Sequence, residues 1–233
     1  MARKLKITKK KLKEPDEFIT LTERGLLFLE KHLKQIAFGA GVVVIILLVF
    51  LGFRWWDREK EAKATEKFNS AIELLQKASS SNKEGDPAEL KNALGLFDEV
   101  IRQFAGTSSG KLAFLHKGNL HLKLGESDEA IKAYETLLAR SGIERVYHSF
   151  ATEGLGYAYE GKKEYEKALE GFKKVLEKGE AFQSADAHLS IGRLCEKLGK
   201  NGEALENYRA YLKVAQKSQK TQFVLRKISL LEK

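Results

Sequence analysis

Few residues of this 233-residue chain could do chemistry. It holds one cysteine, Cys195, and five histidines, at positions 32, 116, 121, 148 and 188. A single cysteine excludes an internal disulfide and a Cys-rich metal site, and the histidines lack ligand spacings such as His-Glu-x-x-His. We therefore predict no catalytic residue, no metal site and no cofactor, and a protein that is not an enzyme.

A glycine pair at Gly154 and Gly156 could suggest a phosphate-binding turn. The pair follows no predicted strand and lacks a third glycine at the distance that a dinucleotide-binding turn requires. Close packing between two helices explains the same glycines without a ligand. We therefore expect no small-molecule substrate.

A pattern of small and aromatic residues recurs along the second half of the chain. In three copies a glycine is followed twelve residues later by an alanine, and then four residues later by an aromatic residue. A fourth copy is reduced to Ala93 and Phe97, and the four alanines lie 37, 38 and 36 residues apart. This period is typical of stacked helical hairpins, which need small residues where backbones touch and a ring beside them. The predicted packing residues are Gly118, Ala130, Tyr134, Gly156, Ala168, Phe172, Gly192, Ala204 and Tyr208.

These residues resemble the tetratricopeptide repeat, and the copy with Gly156, Ala168 and Phe172 matches it best. Each unit is a few residues longer than the usual length of about 34. The resemblance covers residues 88–217 and implies a stack of helical hairpins that binds proteins. In such repeats the first helices generally form a concave binding face. The partner-binding residues that this implies are Leu115, Asn119, Leu122, Phe150, Glu153, Tyr157, Glu160, Leu189, Arg193 and Glu196.

An apolar run occupies residues 36–53, with the sequence IAFGAGVVVIILLVFLGF and no charge. As a helix it reaches about 27 Å, close to the hydrocarbon thickness of a bilayer. Trp55 and Trp56 follow at once, and indole rings favour the membrane interface. The run ends in bulky residues, whereas a cleaved signal peptide ends in small ones. We therefore predict a permanent single-span anchor in contact with lipid.

The charges around this run bear on its orientation. Residues 1–35 hold ten Lys/Arg and five Asp/Glu, and the first thirteen residues hold seven bases and no acid. This bias favours a cytoplasmic N-terminus, although the five bases that follow the run outnumber the three just before it. No aromatic residue interleaves the basic stretch, so we expect it to lie near anionic lipid and not to bind nucleic acid.

The predicted fold is all-α, with a single transmembrane helix followed by a tetratricopeptide-like α-solenoid of helical hairpins. Glycines at 125, 161 and 199 are expected to end the first helices of the repeats. After the transmembrane helix, helices are predicted near 88–104, 109–124, 127–140, 145–160, 164–178, 182–198, 202–217 and 219–232. The predicted parts are a basic cytoplasmic tail with an amphipathic helix (1–35), the transmembrane helix (36–53), a connecting helix and Ser-rich turn (54–87), the repeats (88–217) and a C-terminal capping helix (218–233).

The order of these parts resembles the YfgM-like ancillary subunits of the bacterial SecYEG translocon, through the stretch Phe28–Trp56 and the hairpins after it. The resemblance implies a single-pass inner-membrane protein with a cytoplasmic N-terminus and a periplasmic domain. It also implies the translocon and a membrane-anchored periplasmic chaperone as partners in the handling of exported proteins. The alternative is a tetratricopeptide adaptor for another envelope complex, in outer-membrane assembly, cytochrome assembly or division.

Overall fold

The computed structural model describes residues 17–81, 86–178, 181–215 and 218–233. Within these ranges the chain forms nine α-helices, one short 3₁₀ turn and no strand. The all-α prediction is therefore confirmed. The basic run at 1–13, on which the predicted orientation depends, and residues 82–85 of the predicted Ser-rich turn lie outside the described residues. The serines at 79–81, predicted to begin that turn at 79–87, are instead the last residues of the first helix.

The first helix, α1, spans Glu17–Ser81 without interruption. It is long and apolar enough to cross a membrane, with a mean hydropathy of 2.9 in its most apolar stretch. The predicted amphipathic helix at 18–35, the apolar run and the connecting helix are thus parts of one helix. The chain divides into two compact units, Met1–Asp57 and Arg58–Lys233.

Eight further helices follow in the second unit, and each hairpin pairs one helix with the next. Helix α2 begins at Pro87, a residue suited to the first helical position, and the Asp86 side chain accepts a hydrogen bond from the Ala88 N–H at 2.9 Å. The bounds agree with prediction to within about three residues. They are α2 Pro87–Phe104, α3 Ser108–Lys123, α4 Ser127–Leu138, α5 Arg145–Gly161, α6 Tyr165–Lys178, α7 Ser184–Lys197, α8 Asn201–Val214 and α9 Thr221–Leu231.

Three hydrophobic clusters follow one another along the stack. The first joins α1 to α2 and α3 through residues such as Ala71 and Phe97, and the second surrounds Tyr134. The third surrounds Phe172 and Tyr208 and includes Val224 of α9. Each cluster draws on neighbouring helices, which is the packing expected of a solenoid.

The first helices of the three repeats end in the same backbone motif. After α3, the Gly125 N–H donates to the Leu122 carbonyl and the Glu126 N–H donates to the His121 carbonyl. The same pair of bonds closes α5 and α7, which makes each end a Schellman motif.

This motif places one residue per repeat in the left-handed region. Gly125 and Gly199 occupy it, with φ of 76° and 69°. Helix α5 ends at Gly161, as predicted, but Gly161 is its last helical residue and not its left-handed cap, which is Lys163, with φ of 63°.

Candidate functional site

The repeat glycines lie against the aromatic rings of their own hairpins. A Cβ atom on Gly118 would lie 2.5 Å from Cε1 of Tyr134, and one on Gly192 would lie 2.7 Å from Cδ1 of Tyr208. The matching distance from Gly156 to Cε2 of Phe172 is 2.9 Å. Each ring thus fills the space that a larger side chain would need. The alanines predicted beside them, Ala130, Ala168 and Ala204, are fully buried.

Tyr134 connects the first repeat to the second. Its ring contacts Gly118 on α3 and also Gly154 on α5, where an added Cβ would collide with the ring. Its hydroxyl donates a hydrogen bond to Oδ1 of Asn119 at 2.6 Å, and burial raises the pKa of this phenol. The sequence analysis assigned Gly154 to helix packing together with Gly156, but it did not identify Tyr134 as the ring that packs against it.

A groove of about 510 Å³ is lined by residues of α1 and of α3 and α5, the first helices of two repeats. Seven of its lining side chains are apolar or aromatic, and the polar ones are His116, Asn119 and Glu153. Six of the ten predicted partner-binding residues line it. They are Leu115, Asn119, Leu122, Phe150, Glu153 and Tyr157, and the other lining residues are Phe68, Leu112, His116, Tyr147 and Gly154.

Five of these lining residues were not among the predicted ones, and three of the five, Phe68, His116 and Tyr147, bring rings to the groove. Phe68 belongs to the part of α1 that was predicted as the connecting helix, and its ring centroid lies 5.3 Å from that of His116. His116 also stacks on Phe97 at 5.2 Å, and burial lowers the pKa of this histidine. Tyr147 lies one turn before the predicted Phe150. Helical spacing back from Phe150 could have identified Tyr147, and Phe68 stands in the apolar helical pattern of the connecting helix.

Glu153 is the acidic residue of the groove. Its Oε2 atom accepts a hydrogen bond from Gln183 Nε2 at 2.6 Å, and Gln183 Oε1 accepts one from the Ser149 hydroxyl at 2.5 Å. Burial raises the pKa of Glu153, and the nearby charge of Asp186 adds to this effect. The carboxylate therefore accepts from a neutral amide in a partly desolvated environment.

The other four predicted partner-binding residues have internal partners. Glu160 accepts two hydrogen bonds from Arg193, at 3.1 and 2.7 Å, and one from Lys197 at 2.9 Å. Glu196 accepts from the Tyr208 hydroxyl and from Lys227. Leu189 is only 6% exposed and packs in the third cluster. The groove does not include these four side chains, which instead connect α5, α7, α8 and α9.

The residues that could do other chemistry are engaged in the fold. Cys195 is fully buried in the third cluster, and burial raises the pKa of its thiol. His121 Nδ1 lies 2.7 Å from Glu126 Oε2. In the described parts of the chain, no three His, Cys, Asp or Glu side chains are grouped so that they could hold a metal ion. The site is thus a groove of aromatic and aliphatic side chains around one carboxylate.

Solved structures share the fold at low sequence identity. BtubC from P. vanneervenii is 16% identical, with a TM-score of 0.55 over 75% of this chain and 82% of that chain. A tetratricopeptide repeat protein from Parabacteroides merdae is 18% identical, with a TM-score of 0.53 over 70% and 60% of the two chains. MamA is 16% identical, with a TM-score of 0.52 over 62% and 77%. No curated protein matches the sequence at a significant level.

The family comparison covers far more of the chain. Residues 28–233 match the tetratricopeptide repeat-like domain. This range includes the apolar part of α1 as well as every helix of the repeats. Folds of this kind typically serve as non-enzymatic scaffolds for interactions between proteins. The chain therefore belongs to the family of tetratricopeptide repeat-like domain proteins.

Proposed function

We propose that this protein is a membrane-anchored interaction scaffold whose groove captures a segment of another polypeptide. The observation that carries the proposal is a groove lined by aromatic and aliphatic side chains on a tetratricopeptide repeat domain, in a chain that also has a helix able to cross a membrane. Grooves of this kind hold amphipathic helices or extended peptides. Anchoring would confine such binding to the membrane surface.

The exposed rings at the groove support a protein ligand. Phe150 is 36% exposed and Phe182 is 63% exposed, and their ring centroids are 5.8 Å apart. Aromatic side chains contribute most of the binding energy in many protein interfaces, because each buries a large area with few rotatable bonds. Such a pair at the edge of a groove suits a bulky apolar side chain of a partner.

The anchor is proposed to keep the N-terminus in the cytoplasm and the repeats in the periplasm of a bacterial cell. The basic bias of residues 1–35 supports this orientation. Fusion of alkaline phosphatase to the C-terminus should give an active enzyme, and fusion of green fluorescent protein should give no fluorescence. The reverse pair of results would contradict the orientation.

The resemblance to YfgM-like proteins supports a more specific role. In that role the chain is an ancillary translocon subunit that cooperates with a membrane-anchored periplasmic chaperone on exported proteins. The family match from residue 28 onward is consistent with the layout of an anchor followed by repeats. A tetratricopeptide adaptor for another envelope complex would share this layout, so the partner has to be identified directly.

Site-specific photo-crosslinking in cells tests both levels of the proposal. A photoreactive amino acid replaces Phe150 or Leu122 in the groove, and Glu206, exposed on α8, serves as the control position. We expect adducts from the two groove positions alone, and among them translocon subunits and a periplasmic chaperone. Groove adducts with a different envelope complex would overturn the export role and leave the scaffold function. Equal adducts from all three positions would overturn the groove itself.

A further inference from the structure

The described walls of the groove contain one carboxylate, and their only basic group is the imidazole of His116, whose pKa is lowered by burial. Among its lining residues Glu153 is the acid, and none is a lysine or an arginine. A segment with acidic side chains, or a free C-terminal carboxylate, would therefore meet a negative charge without a compensating cation. The electrostatics of the groove favour a positively charged ligand.

Internal pairing does not neutralise Glu153. In the part of the chain that the structure describes, no lysine or arginine forms an ion pair with it, and its hydrogen-bond donor is the neutral amide of Gln183. The neighbouring Asp186 carboxylate has its own cation, because Lys220 Nζ lies 2.9 Å from Asp186 Oδ1. Glu153 is thus a partly buried charge whose counterion is not supplied by the described residues.

The rings around Glu153 favour a cation as well. Tyr157 lies one turn after Glu153 on α5 and Phe150 lies about one turn before it, and both line the groove. The faces of aromatic rings attract ammonium and guanidinium groups, while their area suits the apolar part of a ligand. A long basic side chain can satisfy both demands, because its apolar stem packs on rings while its charged end reaches a carboxylate.

We propose that the groove selects a segment of a separate protein in which a lysine or arginine is flanked by bulky apolar side chains, with Glu153 pairing the cation. This inference rests on the proposed function, which requires only that the groove binds some protein segment. It adds the chemistry of that segment. The groove is thereby distinguished from sites that capture acidic tails with lysine clamps.

The N-terminal tail of the chain itself has similar chemistry. Residues 3–13 combine seven bases with Leu5, Ile7 and Leu12. If α1 crosses a membrane, this stretch and the groove lie on opposite sides of it. We therefore assign the groove to a separate protein, and the experiment includes the chain's own tail as an alternative occupant.

The test uses the full-length protein in lipid nanodiscs and three labelled synthetic peptides. The peptides share one pattern of leucine and phenylalanine and differ only at the central residue, which is lysine, norleucine or glutamate. Fluorescence anisotropy should show the lysine peptide binding about tenfold more tightly than the norleucine peptide, because a partly desolvated ion pair is added. The glutamate peptide should bind most weakly.

Variants assign this preference to one side chain. Glu153→Gln keeps the shape and can still accept from Gln183, so it should bind the norleucine peptide unchanged and lose the tenfold preference for lysine. Glu206→Gln, on the exposed face of α8, should keep that preference. Circular dichroism establishes that each variant retains the helix content of the parent.

Other results would overturn the inference or assign the groove to a different occupant. Equal binding of the lysine and norleucine peptides, or no binding of the lysine peptide, overturns the inference, while the groove adducts from cells still support the proposed function. A preference for lysine that persists in Glu153→Gln also overturns it. Tighter binding after deletion of residues 1–16 would assign the groove to the chain's own tail. A dimer that Phe150→Ala disperses would assign it to a second copy.

Discussion

The carboxylate of Glu61 on α1 accepts both the backbone N–H and the hydroxyl of Ser109 on α3, each at 3.0 Å. Its other oxygen accepts the N–H of Ser108 at 2.8 Å. The side chain thus satisfies the first two free donors of α3, which a helix cannot satisfy by itself. Residues 58–81 are therefore an integral part of the repeat domain.

Replacing Glu61 should weaken the repeat domain. Glu61→Ala leaves two N–H groups at the start of α3 without an acceptor, so we expect a loss of about 1–2 kcal/mol in the free energy of unfolding. Chemical denaturation followed by circular dichroism measures it. Glu66→Ala changes an exposed glutamate five residues further along α1 and should cost little. Equal effects of the two changes would show that the Glu61 contacts contribute no stability.

The left-handed residue after α5 offers a gain in stability. Lys163 adopts φ of 63°, in the position that Gly125 and Gly199 occupy in the other repeats. Lys163→Gly should stabilise the protein by about 0.5–1 kcal/mol, since glycine adopts this conformation without steric cost.

The matched change in the opposite direction is Gly125→Ala. No atom lies within 4 Å of a Cβ placed there, so its expected cost of about 1 kcal/mol comes from the backbone alone. Thermal unfolding of both variants measures the two effects. A lower melting temperature for Lys163→Gly would contradict the argument.

The glycine contacts predict opposite effects for two similar substitutions. Gly156→Ala pushes a methyl group into the Phe172 ring, at 2.9 Å, and should cost about 1–3 kcal/mol. Gly95 lies within α2 with open space around it, so Gly95→Ala should stabilise that helix by about 0.5–1 kcal/mol. Denaturant unfolding compares the two variants. An unchanged midpoint for Gly156→Ala would mean that the ring moves aside freely.

The raised pKa of Glu153 makes the stability of the protein depend on pH. Burial, with a smaller contribution from Asp186, favours the protonated form, so the folded state binds this proton more strongly than the unfolded state does. The bound proton on Glu153 therefore stabilises the folded state fully below pH 4.5, the usual pKa of a glutamate. This stabilisation is lost as the pH rises through the pKa of the folded state, so it is smallest at neutral pH.

Glu153→Gln should accordingly be more stable than the parent at pH 7 and equal to it near pH 4. Urea unfolding at both values measures the difference. Tyr134 and Tyr157 also face this carboxylate, but both phenols stay neutral throughout this range, because their pKa values are raised above 10. Glu206→Gln should show no such change between the two values. If Glu153→Gln stabilises the protein equally at pH 7 and pH 4, the effect comes from packing and not from charge.

The sequence predicted the helices and the repeat period well, because both depend on local patterns. Alternating apolar faces and turn residues located α2 to α9 to within a few residues, and the alanine spacing identified the stacked hairpins. The cap after α5 was misplaced because Gly161 is the glycine nearest to it. A Schellman motif requires a left-handed backbone at one position but accepts residues other than glycine there. Nothing in the sequence therefore marked Lys163 as that position.

Contacts between distant segments could not be predicted in the same way. Glu61 meets Ser109 across 48 positions, and Arg193 meets Glu160 across 33. Since exposed charges recur on every helix of this chain, nothing local separates a glutamate that caps a neighbour from one in solvent. For the same reason Glu160 and Glu196 were predicted as groove residues, although the structure places them in ion pairs between helices.

The burial of Cys195 also gives the protein a reporter of its own dynamics. The chain has no other thiol, and this one is fully enclosed between α7 and its neighbours. A thiol reagent can react with it only when the third repeat opens, so the rate of modification of the natural sequence measures that opening. Ligand that binds the groove and steadies the neighbouring helices should slow this reaction, with no label added to the chain.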